Sequence, residues 1–148
     1  MRTMALVACC AMTSCVPWVV RPIEKEGAQR FDAVRYVDTI WQSQVVAEPS
    51  LKRGEGCVTR VEDGRLMLDS GITVLTGPVI RGTALRDALP FIQFSQFTNQ
   101  LEYARVANAL NDRAVKVAQT SQVKAGDTVR YVGAPSTDGV VPVFLERH

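Results

Sequence analysis

The fold is decided by residues 55–80, which read EGCVTRVEDGRLMLDSGITVLTGPVI. Asp63 and Gly64 stand between two runs that are rich in apolar and β-branched residues. An Asp-Gly pair in that position is a strong hairpin signal, because both residues accept the positive φ angles of a tight turn. The pattern therefore predicts antiparallel strands over residues 55–61 and 65–68.

Three further strands are expected from signals of the same kind. The turn at Ser70-Gly71 leads into a mostly apolar strand over residues 72–80. That strand should break or bulge at Gly77-Pro78, because proline donates no hydrogen bond to a ladder. Turn residues also precede residues 128–133 and 140–145, which we expect to form the last two strands.

Helices are predicted on both sides of the first three strands. Asp32 can cap a helix that begins near Phe31, and the Phe31 ring can pack on Tyr36. The apolar stripe predicted for this helix consists of Val34, Val37, Ile40 and Trp41. After the third strand, a short helix is expected over residues 83–88 and a long one over residues 98–118. The stripe predicted for the long helix consists of Leu101, Ala104, Ala107, Leu110, Ala114 and Val117.

The order of these elements predicts an α+β fold. Three meandering strands, a helix and a final hairpin are the order of an OB-type barrel, in which the helix between strands three and four plugs one end. We therefore expect a small, OB-like antiparallel β-barrel, preceded by an N-terminal amphipathic helix. The alternative is an open antiparallel sheet with helices on one face.

The N-terminus reads as a lipoprotein signal. Residues 1–14 combine one positive charge, a short apolar run and small residues that lead into Cys15. Cys15 is the predicted lipidation site, whereas Cys9 is preceded by too few residues; an ordinary N-terminus is the alternative. The predicted organisation is a signal peptide over residues 1–14, a tether over residues 15–30 and a single OB-like domain over residues 31–148. Cys57 would then be the only thiol outside the signal and the lipid site, and we expect it to be buried and structural.

Charge and motif content exclude several classes of function. The 17 Lys and Arg residues nearly balance 15 Asp and Glu residues, so the chain lacks the concentrated basic patch that nucleic acids require. The only histidine is His148, which leaves Ser-His-Asp or Cys-His catalysis without a base. No zinc, calcium or phosphate-loop motif is present, so we expect no metal, no cofactor and no enzymatic activity. Asp87 and Asp112 are the one carboxylate pair that could perform acid–base chemistry.

Polar side chains with several hydrogen-bonding groups are concentrated in the middle of the chain. Such groups cost several kcal/mol to bury unpaired, so they either bond to each other or meet a ligand. The candidate ligand-binding residues are Arg81, Arg86, Asp87, Asn99, Asn108, Asn111, Asp112 and Arg113. Nearby aromatic residues that could form the wall of a sugar-sized cleft are Phe91, Phe94, Phe97 and Tyr103. If the block is instead a structural brace, Asp112→Ala should lower the melting temperature markedly and Asn111→Ala should lower it less.

The chain resembles a family of bacterial predicted periplasmic lipoproteins of unassigned function, often encoded beside components of sugar ABC transporters. The matching stretches are CVP at 15–17, FDAVRYVDTIW at 31–41, RGEG at 53–56 and GPVIRGTALRDALPFIQFSQFTNQLEYARVANALNDR at 77–113. The chain departs from the family pattern in two places. Residues 42–52 replace a longer insertion, and the turn at Ser70-Gly71 is tighter.

The resemblance implies a protein on the periplasmic side of the cell envelope, anchored to the membrane by its lipid. The first functional hypothesis is an accessory or interaction module that contacts a transporter or another envelope protein, beside a sugar-uptake system. The alternative is a sugar- or anion-binding protein with a polar pocket around residues 81–113. A deep site ringed by Arg86, Asn99 and Asn111 would favour the pocket, and an exposed apolar patch would favour the module.

Overall fold

The computed structural model describes residues 30–148, and its first element is helix α1 (Ala33–Ile40). Asp32 caps this helix, because its side chain accepts hydrogen bonds from the amides of Val34 and Arg35 at 3.1 Å. A π-helical turn, Trp41–Val45, continues the helix. The predicted stripe is wrong at Val34, which is 58% exposed, while Val37, Ile40 and Trp41 are buried as expected.

Within residues 30–148, five strands form between the turns that the sequence predicts. They are β1 (Lys52–Glu62), β2 (Arg65–Leu68), β3 (Thr73–Leu75), β4 (Thr128–Ser136) and β5 (Gly139–Arg147). Asp63 and Gly64 have φ angles of 48° and 74°, which confirms the predicted tight turn between β1 and β2. The third strand is shorter than predicted, because the chain leaves the sheet after Leu75 and forms a 3₁₀ turn at Gly77–Val79 that contains the proline.

The hydrogen-bonded strand order closes on itself as β1-β2-β3-β5-β4, so the sheet is a closed barrel and not the open sheet of the alternative. All pairs are antiparallel except β3 with β5, which meet in parallel at Val74 and Val140. Inward-facing side chains fill the barrel, and they are Val58, Leu66, Leu68, Val74, Val129, Tyr131, Val140 and Leu145. Gly54 lies opposite Tyr131 in the β1–β4 ladder and leaves room for the tyrosine ring.

The remaining helices lie between β3 and β4 in the chain. They are α2 (Ala84–Asp87) and α3 (Gln100–Ser121), which ends at Gln122 in a left-handed conformation. Helix α3 packs against α1, α2 and β5, and a second hydrophobic core lies among these elements. Its predicted stripe is wrong at Leu101, which is 59% exposed, and at Ala104, which is also exposed. Across residues 30–148, no helix is long and apolar enough to cross a membrane.

Candidate functional site

Arg86 is bound to its own surroundings. Its guanidinium donates two hydrogen bonds to the Asp87 carboxylate, at 3.0 and 2.9 Å, and one to the backbone carbonyl of Tyr103 at 3.5 Å. The same group lies 3.7 Å from the centroid of the Tyr103 ring, in a cation–π contact. Burial alone would raise the pKa of Asp87, but hydrogen bonds from Thr83 and Arg86 and the Arg86 charge lower it overall. This arginine therefore attaches α2 to α3.

Two of the candidate asparagines are also structural. Asn111 is 6% exposed, and its Nδ2 donates a 2.8 Å hydrogen bond to the carbonyl of Gly82. Asn99 caps α3, because its side chain accepts a 3.0 Å hydrogen bond from the amide of Glu102. The Glu102 carboxylate in turn accepts a 2.9 Å hydrogen bond from the amide of Thr98. Both asparagines thus bond to backbone groups of the fold.

The other predicted residues are exposed or form an ion pair. Arg81, Asn108 and Asp112 are exposed, and Arg113 forms a 3.4 Å ion pair with Asp38 of α1. Within residues 30–148, Asp112 has no ion-pair partner, so the expected pairing of Asp112 with Arg81 or Arg86 is wrong, and with it the reason for a marked effect of Asp112→Ala. The predicted lipidation site, Cys15, lies outside the described residues.

Five aromatic rings at the N-terminal ends of α1 and α3 form what we call the aromatic cluster. Its members are Phe31, Tyr36, Phe94, Phe97 and Tyr103, with centroid separations of 5.4 to 5.8 Å. These rings contact one another instead of lining the wall of a cleft as predicted, and Phe91 packs against the helical core. Phe94 remains 48% exposed, and the first turns of α1 and α3 carry the exposed side chains of Val34 and Leu101. This end of the molecule therefore presents apolar groups to solvent.

A groove of about 700 Å³ lies on another part of the domain, between the π-helical turn, the C-terminal half of α3 and β5. It is lined by Trp41, Gln42, Val46, Arg113, Lys116, Val117, Thr120, Ser121, Val143, Phe144, Leu145, Glu146 and Arg147. Among the candidate residues from the sequence, only Arg113 contributes. Sequence reasoning missed the groove, because no local pattern shows that α3 lies beside β5.

Cys57 and the potential metal ligands are the remaining candidate groups. Cys57 is partly buried and unpaired, and its Sγ lies 3.8 Å from the carbonyl oxygen of Gly126. Its expected burial is therefore only partial, and its expected structural role stays a prediction. In the part of the chain that the structure describes, no cluster of three His, Cys, Asp or Glu side chains could hold a metal ion.

Comparison with known proteins supplies a family and a fold. A family model described as "Predicted periplasmic lipoprotein (DUF2291)" matches residues 50–145. A crystal structure of an OB-fold protein from Thermotoga maritima MSB8, at 1.90 Å resolution, superposes with a TM-score of 0.58 at 13% sequence identity. The superposition covers 81% of this chain and 100% of that one, and at such low identity it supports the OB-type fold alone. No curated protein matches the chain.

Proposed function

We propose, from the premise that the chain belongs to the DUF2291 family of predicted periplasmic lipoproteins, that it is a membrane-tethered accessory module. Its place is the periplasmic side of the cell envelope, with a lipid anchor. Its role in this proposal is to contact another envelope protein, beside a sugar-uptake system. The sugar-uptake context rests on the resemblance of the sequence motifs to those of the family. The contact with another envelope protein rests on the apolar groups that the domain exposes.

The observation that carries the proposal is the exposed apolar surface around the aromatic cluster. Phe94, Leu101 and Val34 expose large apolar side chains at the N-terminal ends of α1 and α3. Half-buried aromatic rings pack against one another between these helices. Aromatic anchors of this kind dominate the binding energy of protein interfaces.

The place of the predicted tether in the sequence supports the same surface as the site of contact. Phe31 is a member of the aromatic cluster and directly follows the tether predicted from the sequence. Residues 16–30 separate Phe31 from the predicted lipid site, Cys15, and an extended chain of that length spans at most about 50 Å. Because Phe31 belongs to the aromatic cluster, the cluster is within that length of the predicted lipid site along the chain.

A sugar or anion pocket around residues 81–113 finds less support. Such a pocket needs Arg86, Asn99 and Asn111 to face a common ligand. Each of these side chains instead hydrogen-bonds to a group of its own fold. Removing one of them from its partner would cost stability before any ligand bound.

The test is capture of partners by a photo-crosslinking amino acid placed at position 101 in the lipidated protein in its native membranes. Phe94→Ser and the matched control Val61→Ser each remove one exposed apolar side chain, the first from the aromatic cluster and the second from β1. We expect crosslinks to a component of an uptake system that Phe94→Ser weakens and Val61→Ser leaves intact. Crosslinks to phospholipid alone would contradict the module, and a partner unrelated to uptake would contradict the sugar context.

A further inference from the structure

One edge of β5 is unpaired over most of its length. Strand β3 meets β5 only at Val74 and Val140, and β3 ends at Leu75. Strand β5 continues to Arg147 with β4 on its other side. Within residues 30–148, no other strand pairs with the second half of β5. Unpaired edges of this kind are templates for the addition of another strand.

The hydrogen-bond phase of the β4–β5 ladder shows which amides face the free edge. The amide of His148 donates a 2.9 Å hydrogen bond to the carbonyl of Thr128, across from it on β4. Residues of an antiparallel strand alternate between groups that bond the neighbour and groups that point away from it. The amide and carbonyl groups of Leu145 and Arg147 therefore point away from β4.

The groove between α3 and β5 lies along this free edge. Five consecutive residues of β5, Val143 to Arg147, line it. Side chains of a strand alternate between its two faces, so five in a row line a groove only if the groove runs along the strand edge. The opposite wall is one face of α3, formed by Arg113, Lys116, Val117 and Thr120 at helical spacing. The groove thus has the elongated form that an extended segment requires.

The charges around the groove indicate the composition of that segment. Arg113, Lys116 and Arg147 line it together with a single carboxylate, Glu146. Arg113 and Arg147 have carboxylate partners at 3.4 and 3.8 Å, but these pairs are partly exposed to solvent and therefore weak. Lys116 has no ion-pair partner in residues 30–148. These positive charges favour the binding of a segment that carries carboxylates.

Apolar groups on the groove lining define the rest of the recognition. Trp41 begins the π-helical turn and Val46 directly follows it, and Val117 and Phe144 come from α3 and β5. Successive side chains of a strand point to opposite faces, so a bound strand can direct carboxylates and apolar side chains separately. Alternating acidic and apolar residues fit both requirements.

We propose that the groove binds an extended segment of a partner protein with alternating acidic and apolar residues, added as a strand to the free edge of β5. This inference rests on the proposed function as an interaction module and adds a second contact surface to it. A second copy of the chain fits less well, because two such edges would bring like charges together. The chain's own residues 16–22, VPWVVRP, fit less well too, because they carry Arg21 and no carboxylate.

The proposal is tested with the full-length lipidated protein in detergent and two fluorescent peptides, one of alternating valine and glutamate and one of alternating valine and lysine. We expect fluorescence anisotropy to detect binding of the acidic peptide only. Lys116→Glu should weaken that binding roughly three- to tenfold, because an attraction at the groove rim becomes a repulsion. Lys52→Glu, on the exposed surface of β1, changes the net charge equally and should leave binding within about twofold.

Hydrogen exchange supplies the readout specific to strand addition. The bound acidic peptide should slow exchange of the Leu145 and Arg147 amides, which point away from β4. Binding without that protection, equal binding of both peptides, or dimerisation through this edge would overturn the proposal. If the peptide fails to bind while crosslinking at position 101 still captures a partner, this inference falls and the interaction module stands. If both experiments fail, the module falls as well.

Discussion

Replacement of Asn111 by alanine should destabilise the domain through the loss of one contact. Asn111 is the one buried polar residue in the part of the chain that the structure describes, and it anchors Gly82, before α2, to α3. The lost hydrogen bond contributes about 0.5–1.5 kcal/mol, and the space left behind adds about 1 kcal/mol. Because Gly82 is exposed, its carbonyl can bond to water instead, which limits the total to about 1–2.5 kcal/mol. For a domain of this size, we expect the melting temperature to fall by roughly 4–10 °C.

Asp112→Ala is the matched control, because it truncates the adjacent residue of the same helix. Asp112 is exposed and lies outside every ion pair of residues 30–148, so its removal should change the free energy of unfolding by less than about 0.5 kcal/mol. Asn111→Asp should be worse than Asn111→Ala, because it brings a carboxylate against the Gly82 carbonyl. Circular dichroism during heating and urea denaturation would measure all three. Equal melting temperatures for Asn111→Ala and Asp112→Ala would refute the role assigned to this contact.

Three other outcomes are expected. Gly54→Ala should lower the free energy of unfolding, measured by urea denaturation, by about 1–3 kcal/mol, because the added methyl group would lie 2.5 Å from the Tyr131 hydroxyl. If the effects of Gly54→Ala and Tyr131→Leu are additive in the double variant, this reason is wrong. The pKa of Asp87 is lower in the folded protein than its ordinary value near 4, so the ionised carboxylate should stabilise the fold above about pH 4. That stability should be lost as the pH falls through the lower pKa of the folded protein. Asp87→Asn should therefore show a smaller acid-induced loss, and an unchanged loss would rule this out. Cys15→Ala should move the protein out of the membrane fraction, and continued sedimentation with membranes would show that the lipid site is elsewhere.

Features set by neighbouring residues could be predicted from the sequence. The cap at Asp32 and the turn at Asp63-Gly64 depend on side chains and φ angles within a few residues, and both were predicted correctly. The end of β3 could not be placed as well, because the apolar run continues to Ile80 while the chain turns away after Leu75. The apolar residues after Leu75 pack the turn against the helical core. From the sequence alone, such residues look the same as the apolar residues of a strand in a sheet.

The candidate site was harder to predict, because exposure depends on which elements cover each helix. Asn111 and Asp112 are adjacent in α3, yet the first is buried and the second is exposed. The helical repeat gives the direction of each side chain but not the width of the covered face, which here is extended by α1, α2 and β5. Leu101 shows the opposite error, because α3 begins beyond the elements that cover its middle, and an apolar residue there is left in solvent.

The concentration of hydrogen-bonding side chains in the middle of the chain has a physical cause in the fold. Between Leu75 and Gln100 the chain crosses from the barrel to α3 with only short turns of helix. Such a path has few backbone hydrogen bonds of its own, so side chains must bond to its carbonyls and amides. Asn111, Asn99 and Glu102 do so, and Arg86 joins the short helix to α3. These residues are needed even if no ligand exists, whereas the unpaired edge of β5 serves no such need. Recognition of a partner is therefore better sought outside this polar block, at the aromatic cluster and along the free edge of β5.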